Sequence, residues 1–252
     1  MRGKTHCAIG VLAGIQLSLL ARIPVSVVNI ATSALFSLLP DLDKSNSMAS
    51  GLIFNKKVSE NVFKLLVYIL NTLIFIILVN MNSDFFLCGL MSLLVVIFFE
   101  QRVNHYKVRK VLTSFTLIVV SFLLFNTDVD VSFIFPLLIF SIFPWLKHRN
   151  FSHSIVMILL VFAMMMPIEK IIKIEGIAFI ATFSYALHIF CDMFTKKGVA
   201  LFYPFSEKMY SIGKLKVGGK SGDLIESIIV MVLFMFAFLS VIEHIGYNFF
   251  LK

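Results

Sequence analysis

The chain has 252 residues, 59% of them hydrophobic and only 14% charged, with a formal net charge of +8. A mean hydropathy of +0.96, with 28 Phe and 12 Met, excludes a soluble or disordered chain and describes a polytopic membrane protein. The positive balance does not point to nucleic acid, because no basic helix or aromatic-basic interleaving accompanies it; Lys and Arg gather in loops, as they do on the cytoplasmic side of membrane proteins.

In chain order, MRGKTH runs straight into an apolar stretch without an A-x-A-like cleavage site, so the first helix is expected to be retained. Apolar runs predict helices over 6–21, 25–40, 60–79, 84–100, 110–126, 131–146, 153–168, 175–194 and 224–247. The expected architecture is all-α, a polytopic transmembrane bundle of eight or nine helices forming a single domain over 1–252. The first two helices are short. Sixteen residues at ~1.5 Å each reach ~24 Å, which predicts a shallow hairpin. Arg22 and Pro24 mark its turn, and Pro40 ends the second helix, because proline disfavours helical geometry in the residue before it. The one long polar segment, 195–223, is rich in Lys and Gly and reads as a cytoplasmic loop that covers a site or engages anionic headgroups, with Lys216 and Lys220 beside its glycines. Cys7, Cys88 and Cys191 are scattered, which argues against a disulfide framework or a zinc finger.

Counting bases on alternate sides gives an orientation. Eighteen of the 22 Lys and Arg fall on one side, while the loops NMNS and NTDVD opposite carry none. The positive-inside rule then predicts a cytoplasmic amino terminus. On that topology the unusual polar groups share one boundary. His6 precedes the first helix, Asp41 and Asp43 follow the second, His148 and His153 flank the seventh, His188 and Asp192 close the eighth, and Glu226 opens the ninth. His188 and Asp192 are four apart and stack on one helical face. Asp41 and Asp43, at i and i+2 after a proline, present two hard oxygens. His148 and His153 converge only if a loop separates them, with Ser152 capping the next helix. This N/O set suits zinc, manganese or iron.

Each group has a blander explanation. His105 and His244 read as interfacial anchors, Glu226 as a complement to a helix dipole, Asp-x-Asp as a solvated turn, and Lys147 and Arg149 as topology signals. The blander account must still explain why four His and four acids meet at one boundary. An ionisable group at mid-span costs ~2.5–3.5 kcal/mol, and His188 and Asp192 make that cost hardest to dismiss.

The chain resembles the YdjM-like, LexA-regulated inner-membrane metal-dependent hydrolases. The resemblance is carried by an early His (His6), LLPDLD at 38–43, HRNFSHS at 148–154, LHIFCDMFTKKG with His188, Asp192, Thr195 and Gly198, LFYP, and GDLIE ending at Glu226. These motifs cover about a third of the chain, and 60–145 reads as a family-variable helical insertion. Asn150 and Ser152 replace the motif's Gly and Thr. Lys44 stands where many members have His, which removes a ligand there and offers a contact to an anionic substrate. The family is similar to zinc-dependent phospholipase C enzymes, which implies phosphoester hydrolysis by analogy.

What the resemblance implies is a metal-dependent hydrolase at the cytoplasmic membrane face, cleaving a phosphoester of a lipid or amphipathic substrate. Its cofactor is one or two divalent ions, zinc first, with manganese, iron or magnesium as alternatives. His6, Asp41, His153, His188 and Asp192 are the first ligand choices, and Asp43 and His148 the second, as bridging ligand or orienting group. Glu226 is expected as ligand or general base, and Arg149 as a bidentate grip on phosphate. The rivals are a metal or solute transporter and a non-catalytic scaffold with a structural metal. An intramembrane zinc protease lacks its H-E-x-x-H.

Overall fold

The computed structural model describes residues 1–81, 84–102, 104–215 and 217–250. The architecture is all-helical. α1 (Gly3–Leu20) and α2 (Val27–Phe36) form the short hairpin, with Arg22 at φ 57° in the turn. The Ser26 hydroxyl caps α2 by accepting the Asn29 N–H at 3.1 Å. The second helix stops short of its expected end at 40. Pro40 sits inside a 3-10 turn, Leu39–Asp43, that carries both aspartates. α3 (Met48–Ile53) was not expected; it is six residues long and is capped by the Ser47 hydroxyl.

α4 (Lys56–Met81), α5 (Phe85–Arg102) and α6 (His105–Phe125) follow. α7 (Val131–Ile142) contains Pro136 and ends in a 3-10 turn, Phe143–Trp145. A third 3-10 turn, Phe151–His153, precedes α8 (Ile155–Ile172), and α9 (Ile177–Met193) comes next. The cap of α8 is Ser154, accepting the Met157 N–H at 3.2 Å, and not Ser152 as expected. α10 (Lys220–Phe250) is the last helix. Among the described residues extended pairing is limited to two isolated bridges in the 195–215 segment. Lys216 and Lys252 lie outside the described residues.

Four stretches are long and apolar enough to cross a membrane: α4, α6, α8 and residues 221–244 of α10; α5, α7 and α9 supply shorter apolar lengths. The expected inward orientation of the amino terminus and of the site rests on the charge count alone.

α9 is the central helix, contacted by α1, α2 and α8, while α10 packs on α1. Met157 and Val161 of α8, Ala181, Tyr185 and Ile189 of α9, and Leu42 and Phe143 from the first and second 3-10 turns are buried together. α1 and α2 approach closely because Gly10 has no side chain; a Cβ there would stand 2.4 Å from Ser37 Cβ. The Ser33 hydroxyl bonds the Gly10 carbonyl at 2.6 Å and the Ser184 hydroxyl of α9 at 2.7 Å, joining three helices through small residues. That close packing brings the end of α9 against the start of α1 and the turn after α2.

A candidate metal centre

Four separated pieces of chain deliver the site. α1 supplies His6 from its first turn, the 39–43 turn supplies Asp41 and Asp43, the 147–154 segment supplies His148, Arg149 and His153, and the end of α9 supplies His188 and Asp192. Tyr185, one turn before His188, donates its hydroxyl to the Ser152 carbonyl at 2.6 Å and so ties the histidine turn to α9. Two groups of ligand-capable atoms result, each within 4.8 Å of one another: Asp41, His153, His188 and Asp192, and Asp43, His148 and His153. His153 belongs to both. His6, His153, His188 and Asp192 are all 2% exposed or less, which places this polarity in the interior.

The hydrogen bonds determine which imidazole nitrogens are free. His188 Nδ1 lies 2.7 Å from the Ser37 carbonyl, which only accepts, so Nδ1 carries the proton and Nε2 the lone pair. The Ser152 hydroxyl donates to Asp43 Oδ2. It therefore accepts from His153 Nδ1 at 2.9 Å, and His153 likewise turns a bare Nε2 to the cluster. Asp43 also receives His148 Nδ1 on Oδ1 at 2.6 Å and the Arg149 N–H at 3.2 Å. Burial pushes the Asp43 carboxyl up, but the hydrogen bonds and charge of His148 and His153 outweigh it and hold the group well below the usual carboxylate range. Asp43 thus works as the hub that orients two histidines. Carboxylate-to-histidine contacts of this kind accompany most metal-binding imidazoles.

Asp192 receives Arg149 Nη2 on Oδ2 at 2.8 Å and the Met1 amino group on Oδ1 at 2.7 Å. His6 Nε2 stands 3.3 Å from the same Oδ1, His153 Nε2 stands 3.7 Å from Oδ2, and His188 Nε2 is 3.9 Å from Asp41 Oδ1. The rings of His6 and His188 stack at 3.7 Å. The decisive detail is what these nitrogens lack. Among the described residues, Nε2 of His6, His153 and His188 is buried without a hydrogen-bond partner in each case. Buried polar atoms are nearly always paired. Three orphaned imidazole nitrogens beside two carboxylates make a donor set that fits a divalent cation.

Two expected site residues have other work. Arg149, held at φ 69°, spends Nη1 on the Thr195 hydroxyl at 2.8 Å and the Gly198 carbonyl at 3.1 Å, and Nη2 on Asp192. Both terminal nitrogens of the expected phosphate fork are therefore committed to the protein and its charge is met by Asp192, with Nε alone left without a hydrogen-bond partner among the described residues. Glu226, 5% exposed, accepts the Thr5 hydroxyl at 2.6 Å and the Arg2 N–H at 3.3 Å, so it anchors the start of α1. It is in neither ligand group. Lys44 is exposed beside Asp43. The polar 195–215 segment folds back on the site. Val199 and Ala200 are fully buried, Ala200 N–H bonds the Arg149 carbonyl at 2.9 Å, and Ile155 N–H bonds the Leu201 carbonyl at 2.9 Å. Gly198, at φ 65°, has the Tyr210 carbonyl oxygen 2.4 Å from where a Cβ would be. His244 lies far from this centre; it lines a cavity of about 840 Å³ with Arg22 and Glu243 at the other end of α1.

Ser37, Ser152, Thr195 and Tyr185 were missed as supporting groups. Ser152 and Thr195 stand inside quoted motifs and were within reach of the sequence; the Ser37 carbonyl, which any residue type supplies, was not.

Comparison with known families yields a match to the YdjM inner membrane protein family over residues 1–247. The chain belongs to that family. No curated protein and no solved structure shows a significant match. Membership and the apolar helices together make this a multi-pass inner-membrane protein. Its buried His and Asp cluster has the composition to hold a metal ion.

Proposed function

We propose that this YdjM-family protein is a metal-dependent hydrolase that cleaves a phosphoester of a lipid or amphipathic substrate at the membrane face. One observation carries the reading: three buried Nε2 atoms, on His6, His153 and His188, have no hydrogen-bond partner and surround Asp192 and Asp41. His153, His188, Asp41 and Asp192 would hold the ion, with His6 beside Asp192. A bound divalent metal supplies Lewis acidity and lowers the pKa of its water to ~7. The remaining groups prepare that centre. Ser37 fixes the tautomer of His188, and the Ser152–Asp43 pair fixes that of His153. Arg149 holds Asp192 in place and balances its charge. Asp41, whose side chain keeps 12% exposure where the other carboxylates keep 3% or less, would be the ion's most accessible ligand, on the side from which water and substrate arrive. The 195–215 segment keeps bulk water from the inner side of Arg149.

A second reading has its own support. The nearly complete burial of His153 and His188 also suits a purely structural ion in a membrane scaffold. Metal analysis of the purified wild type, His153→Ala and Asp192→Ala, run beside assays on phospholipids and water-soluble phosphodiesters, separates the two. The hydrolase reading expects bound metal and turnover in the wild type and loss of both in the variants. Equal metal content in all three removes the site. Bound metal that the variants lose, with unfolding on chelation and no turnover on any substrate, leaves the scaffold.

A further inference from the structure

A row of polar groups on α6 takes no part in the His and Asp cluster. His105, Arg109 and Thr113 are spaced by four, so a helix places them on one face. Among the described residues each has a buried atom without a hydrogen-bond partner: His105 Nε2, Arg109 Nε and Thr113 Oγ1. Arg109 is 3% exposed and Thr113 1%. A guanidinium has five donor hydrogens, yet the hydrogen bond found for this one is Nη1 to the Ser45 carbonyl at 2.9 Å. Among the described residues no carboxylate lies within ion-pair distance of it. The contrast with Arg149 is direct, since that buried guanidinium has Asp192 as counter-charge. Arginine does not escape by losing its proton, and a buried charge without a partner is strongly unfavourable.

We propose that Arg109 and Thr113 form an anion site that takes a phosphate group. The guanidinium fork matches phosphate oxygens, and the threonine hydroxyl and the His105 imidazole add donors out of the fork's plane, which suits a tetrahedral anion better than a flat carboxylate. Arg109 is the fifth residue of α6, a candidate span, so it stands near the depth of lipid headgroups. It grips Ser45, two residues beyond Asp43, and the exposed Lys44 between them adds positive charge. The site thus adjoins the turn that presents Asp41 and Asp43, and it provides the anion recognition that Arg149 is not free to give. Phosphate binding stands independently of hydrolysis; identifying the bound group as part of the substrate rests on the function proposed above.

The test uses the full chain in a neutral detergent, with thermal unfolding followed against inorganic phosphate and against acetate at matched ionic strength. Phosphate should raise the wild-type Tm and acetate should not. Arg109→Met should weaken the phosphate response at least about tenfold while retaining the wild-type metal content, which separates this result from any failure of the hydrolase reading. Arg109→Lys should keep part of the response, and Thr113→Val should reduce it. A second arm places the protein in neutral glycolipid vesicles with or without phosphatidic acid; stabilisation there by the phosphorylated lipid, exceeding that by free phosphate, assigns the site to a headgroup, and the reverse assigns it to a soluble phosphate. An Arg109→Met protein that loses stability but keeps the full phosphate response makes Arg109 only a tie to Ser45 and overturns the proposal. So does an equal effect of acetate on the wild type. Should Arg109→Met not fold, unchanged phosphate affinity in both Arg109→Lys and Thr113→Val overturns it equally.

Discussion

The junction of α1, α2 and α9 and the hairpin of α4 and α5 are built from the same apolar alphabet and obey opposite rules. At the junction, small residues bring backbones together, and His6, Ser33, Ser184, His188 and Asp192 are buried among them. In the hairpin most large side chains face outward, among them Tyr68, Leu73, Phe86 and Leu93, where lipid is as good a solvent as protein. Without a hydrophobic force between helices in a bilayer, the hairpin is specified mainly by length and oiliness. The junction is specified by shape and by paired polar groups, so it tolerates little change.

The largest effect expected from breaking that contrast comes from Asp192. Asp192→Ala strands the Arg149 guanidinium in the interior, and removing one member of a buried ion pair costs about 3–5 kcal/mol. A sharp drop in Tm together with loss of bound metal is expected from thermal unfolding and metal analysis. An unchanged Tm would mean that the pair does not hold the 149 loop. Next comes the helix contact. Gly10→Val places a Cβ where Ser37 Cβ already stands at 2.4 Å, and over-packing of this kind costs about 1–3 kcal/mol. Because Ser37 also fixes His188, Gly10→Val should weaken metal retention as well, although residue 10 touches no ligand. Gly14→Val, opposite Ser33, should share the loss of stability and spare more of the metal binding.

These two regions also differ in how far the sequence discloses them. The apolar runs place nine helices within a few residues of where they lie, since length and hydropathy are the whole specification of a lipid-facing helix. The meeting of the imidazoles and carboxylates was legible because such groups are costly in a membrane and the charge count assigns their motifs to one boundary. What was not legible is how neighbours divide the work. Arg149 looks free in HRNFSHS because Asp192 and Thr195 arrive from more than forty residues away. Glu226 gives no sign in the sequence of its bond to Thr5, 221 residues away. Short α3 escaped because six residues carry too little periodicity, although Ser47 before MASGLI is a capping signal in plain sight.

A milder change sharpens the comparison within the site. Asp43→Asn keeps the shape of the hub but removes the charge that His148 and His153 lean on. Outer partners of metal-bound imidazoles contribute about 10–100-fold in affinity, so metal titration should show binding weakened in that range with the fold retained. Loss of all metal would promote Asp43 to a direct ligand.

The smallest effects belong to the hairpin, and they are the control on everything above. Phe86→Leu and Leu93→Ala alter side chains that are 82% and 57% exposed, so each should change stability by no more than about 0.5 kcal/mol and leave metal content at the wild-type value. The comparison depends on this null, because a membrane protein in detergent loses stability for many reasons unrelated to its site. If Leu93→Ala lowered metal retention as Gly10→Val does, the junction would have no privileged coupling to the ligands. The losses at Gly10 would then report general loosening of the bundle instead of the displacement of Ser37 from His188.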